Sequence, residues 1–232
     1  MTVIINTIWG GRTSLIVDRQ ISQALPRGGH AVADSTSNKV VIALARDALF
    51  SIAYTGIAVA NRIWMDCRIA NLIAHENLEM AFIQCGSPHL ARPIYTILSE
   101  LAINLNGALN SDARARIENL TISIMGWHLG ATLKPFAWEM KRDPIDKNGM
   151  RYFRLRLSSH RVGKFLRENP LGLWGETYGD PGDLINGRLS DLVATEGMSH
   201  DDIEFYFRDA IRERARQTAN GNGQSRLHCD PA

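Results

Sequence analysis

The chain has 232 residues, 45% hydrophobic and 22% charged, with 26 Lys and Arg against 24 Asp and Glu for a formal net charge of +2. That is the make-up of a soluble globular protein able to bury a sizeable core in one large or two small domains. No Lys/Arg-rich run marks a nucleic-acid or membrane-surface footprint, and no apolar stretch approaches the roughly 20 residues of a membrane span.

Residues 3–9 (VIINTIW) are β-branched and aromatic and predict a strand. Gly10-Gly11 is a hairpin turn signal, and residues 13–17 (TSLIV) read as the returning strand. Residues 22–38 are turn-rich. Strands are expected again from Lys39 to Leu44 and over residues 49–54. Residues 57–74 are apolar on nearly every side and predict a buried helix; a second helix from about His89 to Asn106 carries apolar positions 94, 97, 98, 101, 102 and 105. Strands return at 120–127, 132–139 and 151–157, the last with Phe153, Leu155 and Leu157 on one face and Arg154 and Arg156 on the other. The Gly- and Pro-rich stretch 158–183 has no clear pattern. A helix is expected near 184–194, then a last one capped by Ser199 with Asp202 three residues on, a variant of the capping box, and a turn over 219–225.

Runs of strands alternating with pairs of helices imply an α+β protein, not βαβ units. A four-layer αββα sandwich, two antiparallel sheets face to face with helices outside both, uses every element. With no linker and no repeat of fixed period, residues 1–232 are expected to form a single domain. The three cysteines Cys67, Cys85 and Cys229 are too scattered for a zinc site or redox pair and read as reduced thiols. The opening residues lack the basic and long apolar regions of a signal peptide, so a cytoplasmic location is expected.

Familiar motifs are missing or broken. There is no GxSxG elbow and no Walker A loop. His75-Glu76-Asn77-Leu78-Glu79 lacks the second histidine of a zincin and reads as a solvated helix end; no metal or other cofactor is expected. Gly179-Asp180-Pro181-Gly182-Asp183 reads as a surface turn.

The start of the chain carries more. Removal of Met1 before a small residue gives Thr2 a free α-amine beside its own hydroxyl. An α-amine titrates near 7.7–8.0, so part of it is a base at neutral pH, and threonine with an N-terminal amine is an activated nucleophile. Asp18 follows sixteen residues later (18 − 2 = 16), where a hairpin returns its end beside Thr2. Lys39 opens the next strand, where its charge favours ionisation of the threonine hydroxyl, with Asp18 orienting it. Gly56, between a strand and the expected helix, can aim its N–H at a developing oxyanion, helped by the helix N-terminus.

In order and spacing, Thr2, Asp18 in VDRQIS, Lys39 in SNKVVIA and the turn AYTGIAVANRI resemble the proteasome β-type branch of the N-terminal nucleophile hydrolases. The loop before Lys39 is about five residues longer than is usual there. Met198-Ser199-His200-Asp201-Asp202-Ile203, running on to Arg208-Asp209-Ala210-Ile211, is similar to the family's late helix. Motif-level likeness covers about residues 2–65 and 198–216. The absence of a propeptide before Thr2 is similar to bacterial HslV-type relatives. The resemblance implies a threonine-type peptidase in a homo-oligomeric ring, acting on proteins or peptides, with an ATP-dependent unfoldase as a further partner. It implies Thr2 as nucleophile, Asp18 and Lys39 as tuning groups and the Gly56 N–H as oxyanion donor. Ser22 would pair with the substrate strand, and Ile21, Tyr54 and Ala58 would line an apolar specificity pocket. The family's acidic stretch after the last helix is matched by Thr218-Ala219-Asn220-Gly221-Asn222-Gly223, which holds no aspartate. That departure leaves a catalytically silent ring subunit as the alternative.

Overall fold

The opening stretch closes on itself as its composition dictates. β1 (Val3–Trp9) and β2 (Arg12–Val17) pair antiparallel from Ile4↔Val17 to Trp9↔Arg12, and Gly11 takes the φ of 75° that the two-residue turn requires. The computed structural model describes residues 3–9, 11–18, 21–24, 30–34, 38–75, 92–112, 119–147, 150–169, 173–179 and 199–224. Thr2 and the helix expected near 184–194 lie outside them.

β1 is central to a three-stranded sheet of order β12-β1-β2, completed by β12 (Trp174–Gly179). β5 (Val40–Leu44), β6 (Ala48–Gly56), β9 (Leu120–His128), β10 (Lys134–Lys147) and β11 (Met150–Ser159) make an antiparallel sheet of order β11-β10-β9-β6-β5. Side chains alternate across each strand, so each sheet has two faces to cover. Ile8, Met125, Ala137 and Val162 fill one part of the space between the sheets, and Ile4, Ala53 and Tyr178 fill another.

The outer faces take helices. Phe50, Ile52, Tyr54, Ile122 and Ile124 of the large sheet pack with Ile69 and Ile73 of α1 (Met65–His75) and Ile97, Leu98, Leu101 and Leu105 of α2 (Ile94–Ser111). All six apolar positions read from the sequence for the second helix are buried in α2. On the other side Val3 and Ile5 meet Ile203, Phe207 and Ala210 of α4 (His200–Gln224). α3 (Val162–Glu168) follows β11, and its Val162 and Leu166 pack into the inter-sheet layer. The protein is thus the expected αββα sandwich.

α4 begins with the expected capping box. The Ser199 hydroxyl and N–H donate to Asp202 Oδ2 at 2.6 and 3.0 Å, and the Asp202 N–H donates back to Ser199 Oγ at 3.2 Å. The Ser199 hydroxyl, then its N–H, hold the Asp202 carboxyl below its ordinary range. A depressed carboxyl stabilises the fold above its unfolded-state pKa, and the contribution is lost as pH falls through the folded value. Asp202→Asn is therefore expected to remove a part of the acid loss of stability, read by thermal unfolding of both proteins across the acid range.

Three expectations are corrected. Residues 57–74 are not one helix. β7 (Val59–Ala60) and β8 (Ile63–Trp64) form a small hairpin, and α1 starts only at Met65. Asn61 and Arg62 turn it with φ of 50° and 63°, which no right-handed helix accommodates. The end of α2 holds this turn: the Asn61 N–H donates to Asp112 Oδ2 at 2.6 Å, and its side-chain amide donates to Ala108 O at 3.1 Å and Ser111 Oγ at 3.0 Å. The turn-rich stretch before Lys39 contains β3 (Ile21–Ala24) paired with β4 (His30–Asp34), so its added length makes a hairpin. Finally, residues 219–224 continue α4 instead of turning, since each further helical residue adds a hydrogen bond to an existing ladder.

Candidate active site

The strands bring the neighbours of the predicted residues together. The Asp18 N–H donates to Val3 O at 3.0 Å, extending the β1–β2 ladder by one position, so Asp18 stands opposite the residue that follows Thr2. Asp18 is half-buried. Lys39 is only 3% exposed. The next residue, Val40, starts β5 with its N–H on Asn38 Oδ1 at 3.2 Å. Ile4, Val17 and Val40 pack in one inter-sheet cluster with Ala53 and Tyr178. Ile4, two residues after Thr2, thus shares one end of the sandwich with Val17 and Val40, which adjoin Asp18 and Lys39.

Gly56 lies at that end too, because Val40 pairs with Ala53 and β6 runs on to Gly56. Its φ is 101°, and a Cβ there would collide with the Asn119 carbonyl, whose carbon is 2.9 Å away. Both constraints demand glycine. Gly56→Ala is expected to cost about 1–3 kcal/mol of stability, measured by denaturant unfolding. The helix expected to follow Gly56 directly starts at Met65, after the β7–β8 hairpin has returned the chain to Ala58.

The predicted specificity residues are spread over several elements. Tyr54 is 1% exposed in the cluster between the large sheet and its helices. Ala58 is half-buried and its carbonyl accepts the Met65 N–H at 2.9 Å. Ile21 and Ser22 lie on β3, where the register shifts between them and Ser22 pairs with Val32. A cavity of about 450 Å³, lined by Arg12, Ser14, Trp127, Leu133, Asp201 and Glu204 among others, opens at the turn end of β1 and β2, away from Asp18.

A polar group in the middle of the inter-sheet layer escaped the sequence reading. Asn6 and Ser123 are fully buried, and the Asn6 side-chain amide donates to Ser123 Oγ. Ser123 also acts on the hydroxyl of Tyr178, opposing the rise in its pKa. That hydroxyl donates to Glu176 Oε2 at 2.7 Å and lies 3.0 Å from His160 Nε2. His160 Nε2 is 3.2 Å from Glu176 Oε2 and 3.9 Å from Glu139 Oε2. Lys141 Nζ is 3.0 Å from Glu139 Oε2. Burial, then the hydrogen bond to Glu176, raise the Tyr178 pKa far above its ordinary value, so Tyr178 is a neutral donor. The available signal was the spacing of Trp174, Glu176 and Tyr178 at every second residue.

Two antiparallel sheets stacked face to face, with helices covering both outer faces, make a four-layer αββα sandwich, a proteasome-like fold. Among solved structures, the chain is similar to Anbu (Gly-1 mutant) from Hyphomicrobium sp. strain MC1, with a TM-score of 0.56 and 13% identity over 93% of this chain and 76% of that one. At that identity the likeness is one of fold. No protein-family model matches the chain, and no curated protein matches it.

Proposed function

We propose that the protein is a threonine-type peptidase subunit that works from its own N-terminus. Once Met1 is removed, the Thr2 α-amine takes the proton of Oγ1 as the oxygen attacks a peptide carbonyl. The new oxyanion faces the Gly56 N–H, and Lys39, oriented by Asp18, offsets the developing negative charge. The amine then passes the proton to the leaving amine, and a water hydrolyses the acyl ester with the same group as base.

One observation carries this reading: Ile4, Val17 and Val40, next to or near Thr2, Asp18 and Lys39, pack in a single cluster beside a buried lysine. The peptide would add as a strand beside Ser22, with an apolar or aromatic residue before the cleaved bond toward Ile21, Tyr54 and Ala58. The subunits would form a homo-oligomeric ring in the cytoplasm, fed by an ATP-dependent unfoldase. Among the described residues no helix is long and apolar enough to cross a membrane.

A fluorogenic peptide with an apolar residue before the reporter should be cleaved by protein whose intact mass lacks Met1. Retained Met1 in an active preparation contradicts the mechanism, and a monomer in solution contradicts the ring. One observation favours the silent ring subunit instead: α1 begins at Met65 and not directly after Gly56. Absence of cleavage from protein with a free Thr2 would select that reading.

A further inference from the structure

We propose that the buried polar group of Asn6, Ser123, Tyr178 and Glu176, braced by His160, is a positioning device that fixes the start of β1 for the reaction at Thr2. The inference rests on the peptidase reading above. The proton count gives the group one direction. Tyr178 spends its proton on Glu176 Oε2, so it accepts from its other partners. Ser123 accepts from the Asn6 amide, which leaves its single proton to be offered toward Tyr178. His160 then carries its proton on Nε2 and donates it to the Tyr178–Glu176 pair, a tautomer assigned from these partners. Each donor passes polarisation toward a carboxylate end, which strengthens the series.

Its route matters more than its strength. It starts on β1, crosses to β9 of the other sheet, and returns to β12, which pairs with β1 through Ile4↔Tyr178 and Asn6↔Glu176. A β1 shifted along its axis would break the Asn6–Ser123 bond and the register with β12. The Tyr178 ring packs in the cluster that holds Ile4, Val17 and Val40. So one hydroxyl, held from several sides, sets the floor beneath the residues adjoining Thr2, Asp18 and Lys39. An apolar layer could hold the sheets together as well, since buried polar groups are costly unless satisfied. What an apolar layer lacks is a unique register. A nucleophile whose rate falls about a hundredfold on a 1 Å displacement needs one.

The test compares wild type with Tyr178→Phe and Ser123→Ala as the full assembled protein. It measures kcat, KM, thermal midpoint and the rate at which an epoxyketone-type probe labels Thr2. Both variants should lose about tenfold or more in kcat and labelling rate, with KM changed less than about twofold and the protein still folded. Glu176→Gln, which keeps the shape and an acceptor oxygen, should retain most of the rate that Glu176→Ala loses. Unchanged labelling in the first two variants, or losses that only follow the folded fraction, overturn the proposal. Should wild type neither cleave nor label, the peptidase reading has failed. The positioning claim is then decided by hydrogen exchange of the Ile4 and Asn6 amides: faster exchange in Tyr178→Phe supports it and unchanged exchange overturns it.

Discussion

Replacing Thr2 by alanine is expected to lower peptide hydrolysis by about a thousandfold or more while the fold is retained. The size follows from the role. Thr2 would supply both the attacking oxygen and, through its amine, the base, and nothing else among the proposed groups can form the acyl intermediate. Residual rate would come from substrate positioning and the oxyanion donor alone. The fold should tolerate the change, because β1 is anchored from Val3 onward by pairing with β2 and β12 on both sides. Steady-state rates on a fluorogenic peptide and circular dichroism of both proteins give the comparison. A variant that cleaves as fast as wild type removes Thr2 from the chemistry.

Lys39→Ala is expected to reduce kcat by about 30- to 1000-fold, the equivalent of about 2–4 kcal/mol of lost electrostatic stabilisation. A lysine with 3% exposure keeps its ammonium away from bulk water, where a fixed charge acts far more strongly than on a surface. A lysine that merely starts a strand would be solvated, and its loss would leave the rate untouched. KM should change little, because the charge is needed when the hydroxyl ionises and not when the peptide docks. A rate within about threefold of wild type, in a folded protein, would show that Lys39 has no such part.

Much of this arrangement was legible because it is local. The β1–β2 hairpin follows from β-branched runs around Gly10-Gly11. The apolar stripe of α2 follows from helical spacing, and the Ser199–Asp202 cap from residue types three positions apart. The errors arose where a distant contact decides the conformation. Residues 57–64 carry enough Ile, Val and Ala to pass for helix. Asn61 and Arg62 turn because Asp112, Ala108 and Ser111 receive Asn61 from the end of α2. β12 was hidden by Gly175 and Gly179, and it becomes a strand through β1, about 170 positions earlier (178 − 4 = 174 for the Ile4–Tyr178 pair).

The site divides along the same line. Thr2, Asp18 and Lys39 are proposed because their spacing along a predicted hairpin and the next strand implies a meeting point. Tyr178, Glu176 and His160 gather only when β12 has paired with β1 and the end of β11 has come beside it. Ser123 and Glu139 share the inner face of the large sheet through direct pairing of β9 and β10, a register that no short motif encodes.

Covalent labelling by an epoxyketone-type probe, which needs both the threonine hydroxyl and its free amine, tests the central claim most directly. One adduct per active subunit is expected, found by mass spectrometry on a peptide that begins at Thr2, and no adduct in Thr2→Ala. Cleavage of peptides by protein that still carries Met1, or labelling that persists without Thr2, would contradict it.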